Sequence, residues 1–411
     1  MTPGRLRDPR PGTAVDATVW RIVGAPLLPG APDGPLRGLR VAVKDLFAVE
    51  GHPVGAGNPT WLREAPPERT SASAVLDLLR GGASVRGVAQ TDELAYSIMG
   101  VNDHHGTPPN GALPGAVPGG SSSGPASAVA TGQADVGLGT DTAGSVRVPA
   151  SWQGLWGLRT THGLVPRDGM LPLAPSFDTV GWLTRDGATL DTVAAWCLTP
   201  LGVDGRAPAG RPRLLVPAEV LETAEPAVAA QFAALCDRWR SDGVATVETV
   251  AVGPLDEWLD AFRAVQGAEA WRTDGPWVAA HPGALGAALA ARFATAAGVT
   301  PHDEARGRAD LARLRAGLRR TVEDGLLLLP TTPGPAPSRT APPAELERVR
   351  AATLRATALA SAAGLPALSV PLLTVGTSLG PAPVGVCLVG PAGADLTLVR
   401  AARALTQDGP P

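Results

Sequence analysis

The chain has 411 residues, 44% hydrophobic and 18% charged, with a formal net charge of −3. This composition predicts a globular protein with a sizeable core, and the charge gives no electrostatic reason to expect nucleic acid or an anionic membrane as a partner. No apolar run approaches the roughly 20 residues that span a bilayer, and the N-terminal stretch MTPGRLRDPRPG lacks the apolar core of a secretory signal. Three widely spaced cysteines (Cys197, Cys236 and Cys387) fit buried thiols in a reducing compartment, so we expect a cytoplasmic protein.

The first half of the chain predicts a β-α-β unit followed by a loop. Residues 39–46 (LRVAVKDL) form a valine-rich strand pattern, residues 70–81 a helix with Thr/Ser at its start, and residues 83–89 a second strand. Such a unit implies parallel strands and a right-handed crossover. Glycine, proline and serine predict a long loop at 107–124. A short helix at 125–131 and a strand at 135–139 are predicted next.

The second half is helical in its middle and strand-rich at its end. Helices are predicted at 225–240, 255–270, 283–296 and 304–324, strands at 326–329, 367–373 and 384–389, and a final helix near 394–407. The sequence therefore indicates one α/β core that carries a helical insertion.

The helix predicted at 304–324 has an apolar stripe and several arginines. Leu311, Leu314, Leu318 and Val322 recur at helical spacing and predict a buried face. The arginines lie mostly off that stripe: Arg313, Arg315, Arg319 and Arg320. They fit a solvated helix face better than an anion site.

Lys44 is the only lysine among 35 basic residues. Arginine can replace lysine at most solvated positions, but it does not release a proton at working pH. A buried lysine does, because burial disfavours its charged form. A solitary lysine is therefore either a chance survivor of a compositional bias or a proton-transfer group.

Two stretches place serine among small residues, where a backbone can approach a ligand closely: 119–124 (GGSSSG) and 139–145 (GTDTAGS). Neither has the spacing of a phosphate-binding loop. The match of 120–124 to G-x-S-x-G is misleading, because that motif needs a strand directly before it. No histidine has a context that suggests a Ser-His-Asp triad, and no ligand spacing suggests a metal or a cofactor. Lysine is the documented alternative base for a serine.

The chain resembles the amidase signature family in GLRVAVKDLF, in VPGGSSSGPASAVA and above all in GLGTDTAGSVRVPASWQGLWGLRTTHG. The segments DELAYSIMGVNDHHGTPPN and SFDTVGWLTRD are most similar to plant-type indole-3-acetamide hydrolases. The resemblance implies a single α/β domain over residues 1–411, with a mixed central β-sheet flanked by helices. Its catalytic core would occupy 35–200 and 325–411, with a helical insertion at about 200–325.

The resemblance also implies a Ser-Ser-Lys triad. Lys44 matches the family's lysine, Ser121 the serine that follows a cis peptide bond after Gly120, and Ser145 the nucleophile. The backbone N–H groups expected to form the oxyanion hole belong to Thr142, Ala143, Gly144 and Ser145. The family usually has two glycines before the nucleophile, so Ala143 must fit a Cβ there. Supporting roles are expected for Gly120, Ser122, Asp141 and Arg147.

The expected activity is cofactor-free hydrolysis of a small carboxamide, such as an aryl- or indole-acetamide. The candidates for an apolar acyl pocket are Trp61, Tyr96, Met99, Phe177 and Trp182, and each also fits a place in the core. Two alternatives remain open at this point: acyl transfer to an amine, as in the amidase-like component of an amidotransferase, and a non-catalytic binding module. A homodimer is also open.

Overall fold

The computed structural model describes residues 15–205, 210–323 and 325–406. In chain order its strands are β1 (Trp20–Leu28), β2 (Arg40–Lys44), β3 (Ser84–Ala89), β4 (Val136–Asp141), β5 (Trp156–Arg159), β6 (Thr179–Thr184), β7 (Arg213–Pro217), β8 (Thr246–Val250), β9 (Leu326–Pro330), β10 (Ala367–Thr377) and β11 (Gly380–Val389). They form one sheet in the order β1-β3-β2-β4-β6-β5-β10-β11-β9-β7-β8. β2 pairs in parallel with β3 and β4, whereas β4 pairs antiparallel with β6. The sheet is mixed, as predicted.

Helices flank this sheet. Within the described residues they are α1 (Pro59–Glu64), α2 (Ser73–Arg80), α3 (Ser123–Ala130), α4 (Arg147–Gln153), α5 (Gly187–Leu198), α6 (Ala218–Leu221), α7 (Pro226–Ser241), α8 (Leu255–Ala280), α9 (Ala287–Ala297), α10 (Pro301–Glu323), α11 (Pro343–Ala363) and α12 (Asp395–Thr406). None of them is both long enough and apolar enough to cross a bilayer.

The predicted β-α-β unit is β2-α2-β3, and its two strands pair in parallel from Arg40–Ser84 to Lys44–Ala89. Valines at alternate positions of β2 are fully buried, because the strand lies inside the sheet and helices cover it. The predicted loop is also present, although α3 begins at Ser123, two residues earlier than expected. The unit places Lys44 at the C-terminal end of β2, next to the loop that carries the first serine cluster.

The segment from 200 to 325 contains more than the helices predicted there. β7 and β8 also lie in it, and they extend the same sheet beyond β9 through parallel pairing. The description as a helical insertion is therefore corrected: the segment supplies part of the sheet as well as α7–α10. β8 is an edge strand with no buried residue, so its sequence carries no apolar pattern that would predict it.

Other elements were missed for similar reasons. β1 is an edge strand that contains proline, and β5 has only four residues. α11 is rich in alanine, and its threonines and arginines obscure an apolar stripe. By contrast, the stripe predicted on α10 is buried, and so are the three cysteines, all with free thiols.

Candidate active site

Lys44 is fully buried at the end of β2. Its Nζ lies 2.8 Å from Ser121 Oγ and donates a 2.7 Å hydrogen bond to Thr140 Oγ1. Burial lowers the pKa of Lys44 from 10.5 to about 7, against the opposing effect of the negative charges of Asp92, Asp141 and Asp178. The amine is therefore neutral in a substantial fraction of molecules near pH 7 and touches one of the predicted catalytic hydroxyls.

The loop that carries Ser121 is anchored by its backbone. The Gly120–Ser121 peptide bond is cis. Gly120 N donates to Ile98 O at 2.8 Å, and Thr91 Oγ1 donates to Ser121 O at 2.9 Å. A Cβ on Gly120 would overlap both carboxylate oxygens of Asp92, so only glycine fits beside this carboxylate. The backbone is thus held so that the Ser121 hydroxyl faces Lys44.

Asp92 is a buried carboxylate that the sequence analysis did not single out. It is fully buried, and its Oδ2 accepts a 2.9 Å hydrogen bond from Gly100 N. Burial raises the pKa of Asp92, and the charge of Lys44 opposes that rise. Asp92 and Lys44 therefore influence each other's protonation across the cis-peptide loop.

Ser145 lies in the turn between β4 and α4. Four backbone N–H groups of this turn were predicted to form an oxyanion hole. In the part of the chain that the structure describes, those of Thr142, Ala143 and Ser145 donate to no protein acceptor, so they are available to a ligand. Gly144 N instead donates to Asp141 Oδ1 at 2.9 Å. Gly144 is therefore removed from the predicted donor set, because its N–H holds the turn together.

Ala143, which stands where the family usually has glycine, is accommodated. Its φ is not among the positive values, and its carbonyl accepts a hydrogen bond from Thr357 Oγ1 at 2.5 Å. Gly144 carries the unusual backbone angle instead, with φ of +126°. A Cβ there would approach the Thr357 side chain to 3.0 Å. The glycine next to the nucleophile is the one that the turn requires.

Asp141 holds the turn electrostatically. It accepts from Gly144 N, Val146 N and Arg147 N, and it is paired with the Arg147 guanidinium at 2.9 Å and with that of Arg159 at 3.2 Å. All three charged side chains are at most 1% exposed. The two arginines and the backbone donors lower the pKa of Asp141, so it remains ionised although burial opposes this. The supporting role of Asp141 and Arg147 stays a prediction, and these contacts favour it.

The two serine loops are joined through the backbone: Ser122 N donates to Ser145 O at 3.1 Å. Ser122 Oγ donates to Thr140 O at 3.3 Å, which ties the same loop to β4. In the described residues, however, no hydrogen bond joins the Ser121 and Ser145 hydroxyls. The structure thus shows a direct contact between Lys44 and Ser121. It also shows that Ser121 and Ser145 lie on loops that are joined through the backbone.

In the described part of the chain, the five aromatic and sulfur side chains predicted to line a pocket do not all line the same cavity. Trp61 lines a cavity together with Trp277, and Met99 lines a different one of about 130 Å³ with Leu289 and Arg292. Tyr96 packs edge-on against Phe293 beside the Met99 cavity. Phe177 and Trp182 are buried in the core, at 0% and 1% exposed. An aromatic side chain fits a core and a pocket equally well, so the sequence could not separate these cases.

The structure adds residues that sequence reasoning missed: Asp92, Thr140, Arg159, Asp178 and Thr357. Asp178 accepts from Thr142 Oγ1 at 2.6 Å, and Arg159 from β5 donates to Asp141. Thr140 was within reach of sequence reasoning, because it immediately precedes Asp141 in the second motif. Asp92 and Thr357 come from distant segments and had no local signal. The described residues contain no cluster of three or more His, Cys, Asp or Glu that would hold a metal ion.

Comparison with known proteins agrees with this architecture. A family model for amidases matches residues 24–199. Amidase 1 of Oryza sativa subsp. japonica is 36% identical to this chain over 91% of each protein. A component of the glutamyl-tRNA(Gln) amidotransferase of Natronomonas pharaonis is 31% identical over 91% of this chain and 96% of its own length. A crystal structure of an amidase superposes with a TM-score of 0.80 at 30% identity, covering 91% of this chain and 85% of its own. The chain belongs to the amidase family and is an amide-hydrolysing enzyme.

Proposed function

We propose that the enzyme hydrolyses a small carboxamide through Ser145, Ser121 and Lys44, with an acyl-enzyme intermediate. The observation that carries the proposal is the buried 2.8 Å contact between Lys44 Nζ and Ser121 Oγ. A lysine whose pKa is lowered to about 7 can accept a proton at working pH, which no arginine of this chain can do.

In the first half of the reaction, neutral Lys44 accepts the Ser121 proton as Ser121 accepts that of Ser145. Ser145 Oγ attacks the amide carbonyl and forms the tetrahedral intermediate. The relay needs the Ser145 hydroxyl, which has no protein hydrogen-bond partner in the described residues, to turn towards Ser121 when substrate binds. The proton then passes through Ser121 to the leaving nitrogen as the C–N bond breaks. Water attacks the resulting ester by the same relay and releases the carboxylic acid.

The turn after β4 supplies the electrostatic part. Three N–H groups, from Thr142, Ala143 and Ser145, have no acceptor among the described residues and can donate to the oxyanion. Loss of one such donor typically costs about 3–4 kcal/mol of barrier. Asp141 and its two arginines hold this turn in place, which means that the donors do not have to reorganise during the reaction.

A screen of small amides by mass spectrometry tests the proposal, with aryl- and indole-acetamides among them. Wild type and Ser145→Ala are compared, with Ser241→Ala as the matched control, because Ser241 is an exposed serine at the end of α7, outside the two serine loops. Loss of product with Ser145→Ala and its retention with Ser241→Ala support the assignment. Equal activity in the wild type and in Ser145→Ala would refute it.

Acyl transfer to an amine is the second candidate, since a relative of similar length is a component of an amidotransferase. Both reactions share the acyl-enzyme, so the site geometry does not separate them. Adding hydroxylamine to the amide screen does: hydroxamate formed in excess of the acid indicates transfer, and acid as the main product indicates hydrolysis.

A further inference from the structure

A polar cavity of about 480 Å³ has no residue of the two serine loops in its lining. It lies where the end of α10, the end of α11 and the loop after β5 meet. Its polar lining includes Thr161, His162, Ser176, Arg315, Arg319 and Glu323. The volume falls within the range of small-molecule sites. No step of the proposed reaction uses this cavity.

Two arginines on α10, one turn apart, face this cavity and share an unusual environment. Arg315 Nε donates to Ala362 O, and Arg319 donates to Ala363 O through Nε at 3.1 Å and Nη2 at 2.8 Å. These acceptors are carbonyls of the last turn of α11. In the described residues neither arginine forms a salt bridge. The backbone contacts therefore orient both guanidinium groups without neutralising their charge.

Three other arginines of the same helix differ in this respect. Arg306 pairs with Asp303 at 3.4 Å, and Arg308 pairs with Glu269 at 2.6 Å. Arg313 pairs with Glu257. Each of these cations is matched by a carboxylate. The two cavity arginines instead donate hydrogen bonds to backbone carbonyls, and the Arg315 guanidinium also lies over the Phe177 ring, 5.9 Å from its centroid.

The surroundings add positive charge. Burial lowers the pKa of Arg315, and so do the charges of Arg319 and Arg308, whereas the carboxylate of Glu269, which is paired with Arg308, opposes them. Arg167, on the adjoining loop, donates to Pro175 O at 2.8 Å and Asp178 O at 3.2 Å and has no carboxylate partner among the described residues. Among the described residues that line the cavity, only Glu323 is acidic, and it is exposed.

We propose that this cavity binds a small anion with two negative charges, the chemistry that phosphorylated compounds and dicarboxylates share. A guanidinium group offers paired N–H donors that match a phosphate or carboxylate, and an anion between two of them would relieve their repulsion. The cavity is larger than a single phosphate group needs, so the anion is part of a larger molecule. The sequence analysis favoured a solvated helix face for these arginines. That interpretation changes because both side chains face a cavity and are held by backbone acceptors.

Calorimetric titration tests the proposal with inorganic phosphate and, separately, succinate, at constant ionic strength maintained with chloride. The wild type is expected to bind at least one of them saturably. Binding of phosphate would indicate a phosphorylated ligand, and binding of succinate would indicate a dicarboxylate. The variant Arg315→Gln/Arg319→Gln should bind at least tenfold more weakly. Arg320→Gln, an exposed arginine on the same helix that does not line the cavity, is the matched control and should bind as the wild type does.

A second variant keeps the test valid if the double variant folds poorly. Ala392 is exposed and lines the cavity, so Ala392→Glu adds a carboxylate without removing a backbone contact. It should weaken anion binding at least tenfold. The proposal is overturned if neither anion binds the wild type saturably, or if Ala392→Glu binds as tightly as the wild type.

Discussion

Replacing Lys44 by arginine, the cation that the rest of the chain uses, separates charge from proton transfer. With the pKa at about 7, half of the amines are neutral at pH 7. At the ordinary lysine value the fraction would be about 3 in 10,000, and for arginine it would be about 3 in 1,000,000. If the relay needs a neutral base, Lys44→Arg loses what general-base catalysis contributes, about 10²–10⁴-fold in rate.

The assay is the rate at which a fluorophosphonate labels Ser145, which does not require the substrate to be known. The wild-type rate should rise about tenfold per pH unit below pH 7 and level off above it, because only the neutral amine accepts the proton. Lys44→Arg should be labelled about 10²–10⁴-fold more slowly. Lys44→Met, of similar length and uncharged, is the control for the bulk of the guanidinium and should lose as much.

The same pKa gives a thermodynamic check. The unfolded chain holds the Lys44 proton up to pH 10.5, whereas the folded chain releases it at about pH 7. Between these values the unfolded state binds more protons, so the free energy of unfolding of the wild type should rise relative to Lys44→Met by up to about 1.4 kcal/mol per pH unit. Chemical denaturation at a series of pH values measures it. A labelling rate of Lys44→Arg within tenfold of the wild type, or a pH-independent stability difference, would refute the reasoning.

Three further outcomes are expected. Asp141→Asn should lower the free energy of unfolding by about 3–5 kcal/mol, because it leaves two buried arginines without their carboxylate. The control Asp237→Asn removes a carboxylate from an exposed ion pair and should cost less than about 1 kcal/mol. Equal urea midpoints for the two variants would contradict this expectation. Asp92→Asn removes a negative charge that raises the pKa of Lys44, so the midpoint of the pH profile of labelling should move below pH 7. An upward shift of that midpoint, or no shift, would show that the Asp92 carboxylate does not act on the lysine. Ser145→Ala should abolish labelling, and a probe found by peptide mapping on another serine would assign the nucleophile elsewhere.

Part of the fold was readable because its signal is local. The β2-α2-β3 unit and the buried stripe of α10 follow from hydrophobic spacing, and the structure has both. β8 was not readable, because it is a short edge strand with no buried residue and is specified by the strand it pairs with. β7 is buried at four of its five positions, but so short an apolar run does not distinguish a strand from a buried helix segment. The helical description of 200–325 failed for these two reasons.

The candidate site divides in the same way. Lys44, Ser121 and Ser145 stand out by their rarity or by their glycine-rich context, and the contact between the first two is present. The donor role given to Gly144 was wrong, because the sequence cannot show which N–H groups the Asp141 carboxylate occupies. The dispersal of the predicted pocket residues has a similar cause, since side-chain chemistry does not distinguish a pocket wall from a core.

The sequence by itself determined which groups can do chemistry: one lysine, two serine loops and the amidase family to which the chain belongs. Only the tertiary structure decided the protonation of that lysine, because its pKa depends on complete burial and on Asp92, Asp141 and Asp178, which the chain brings together from separate segments. Desolvation and charge act through space, so their effect at a site appears only when the chain has folded around it.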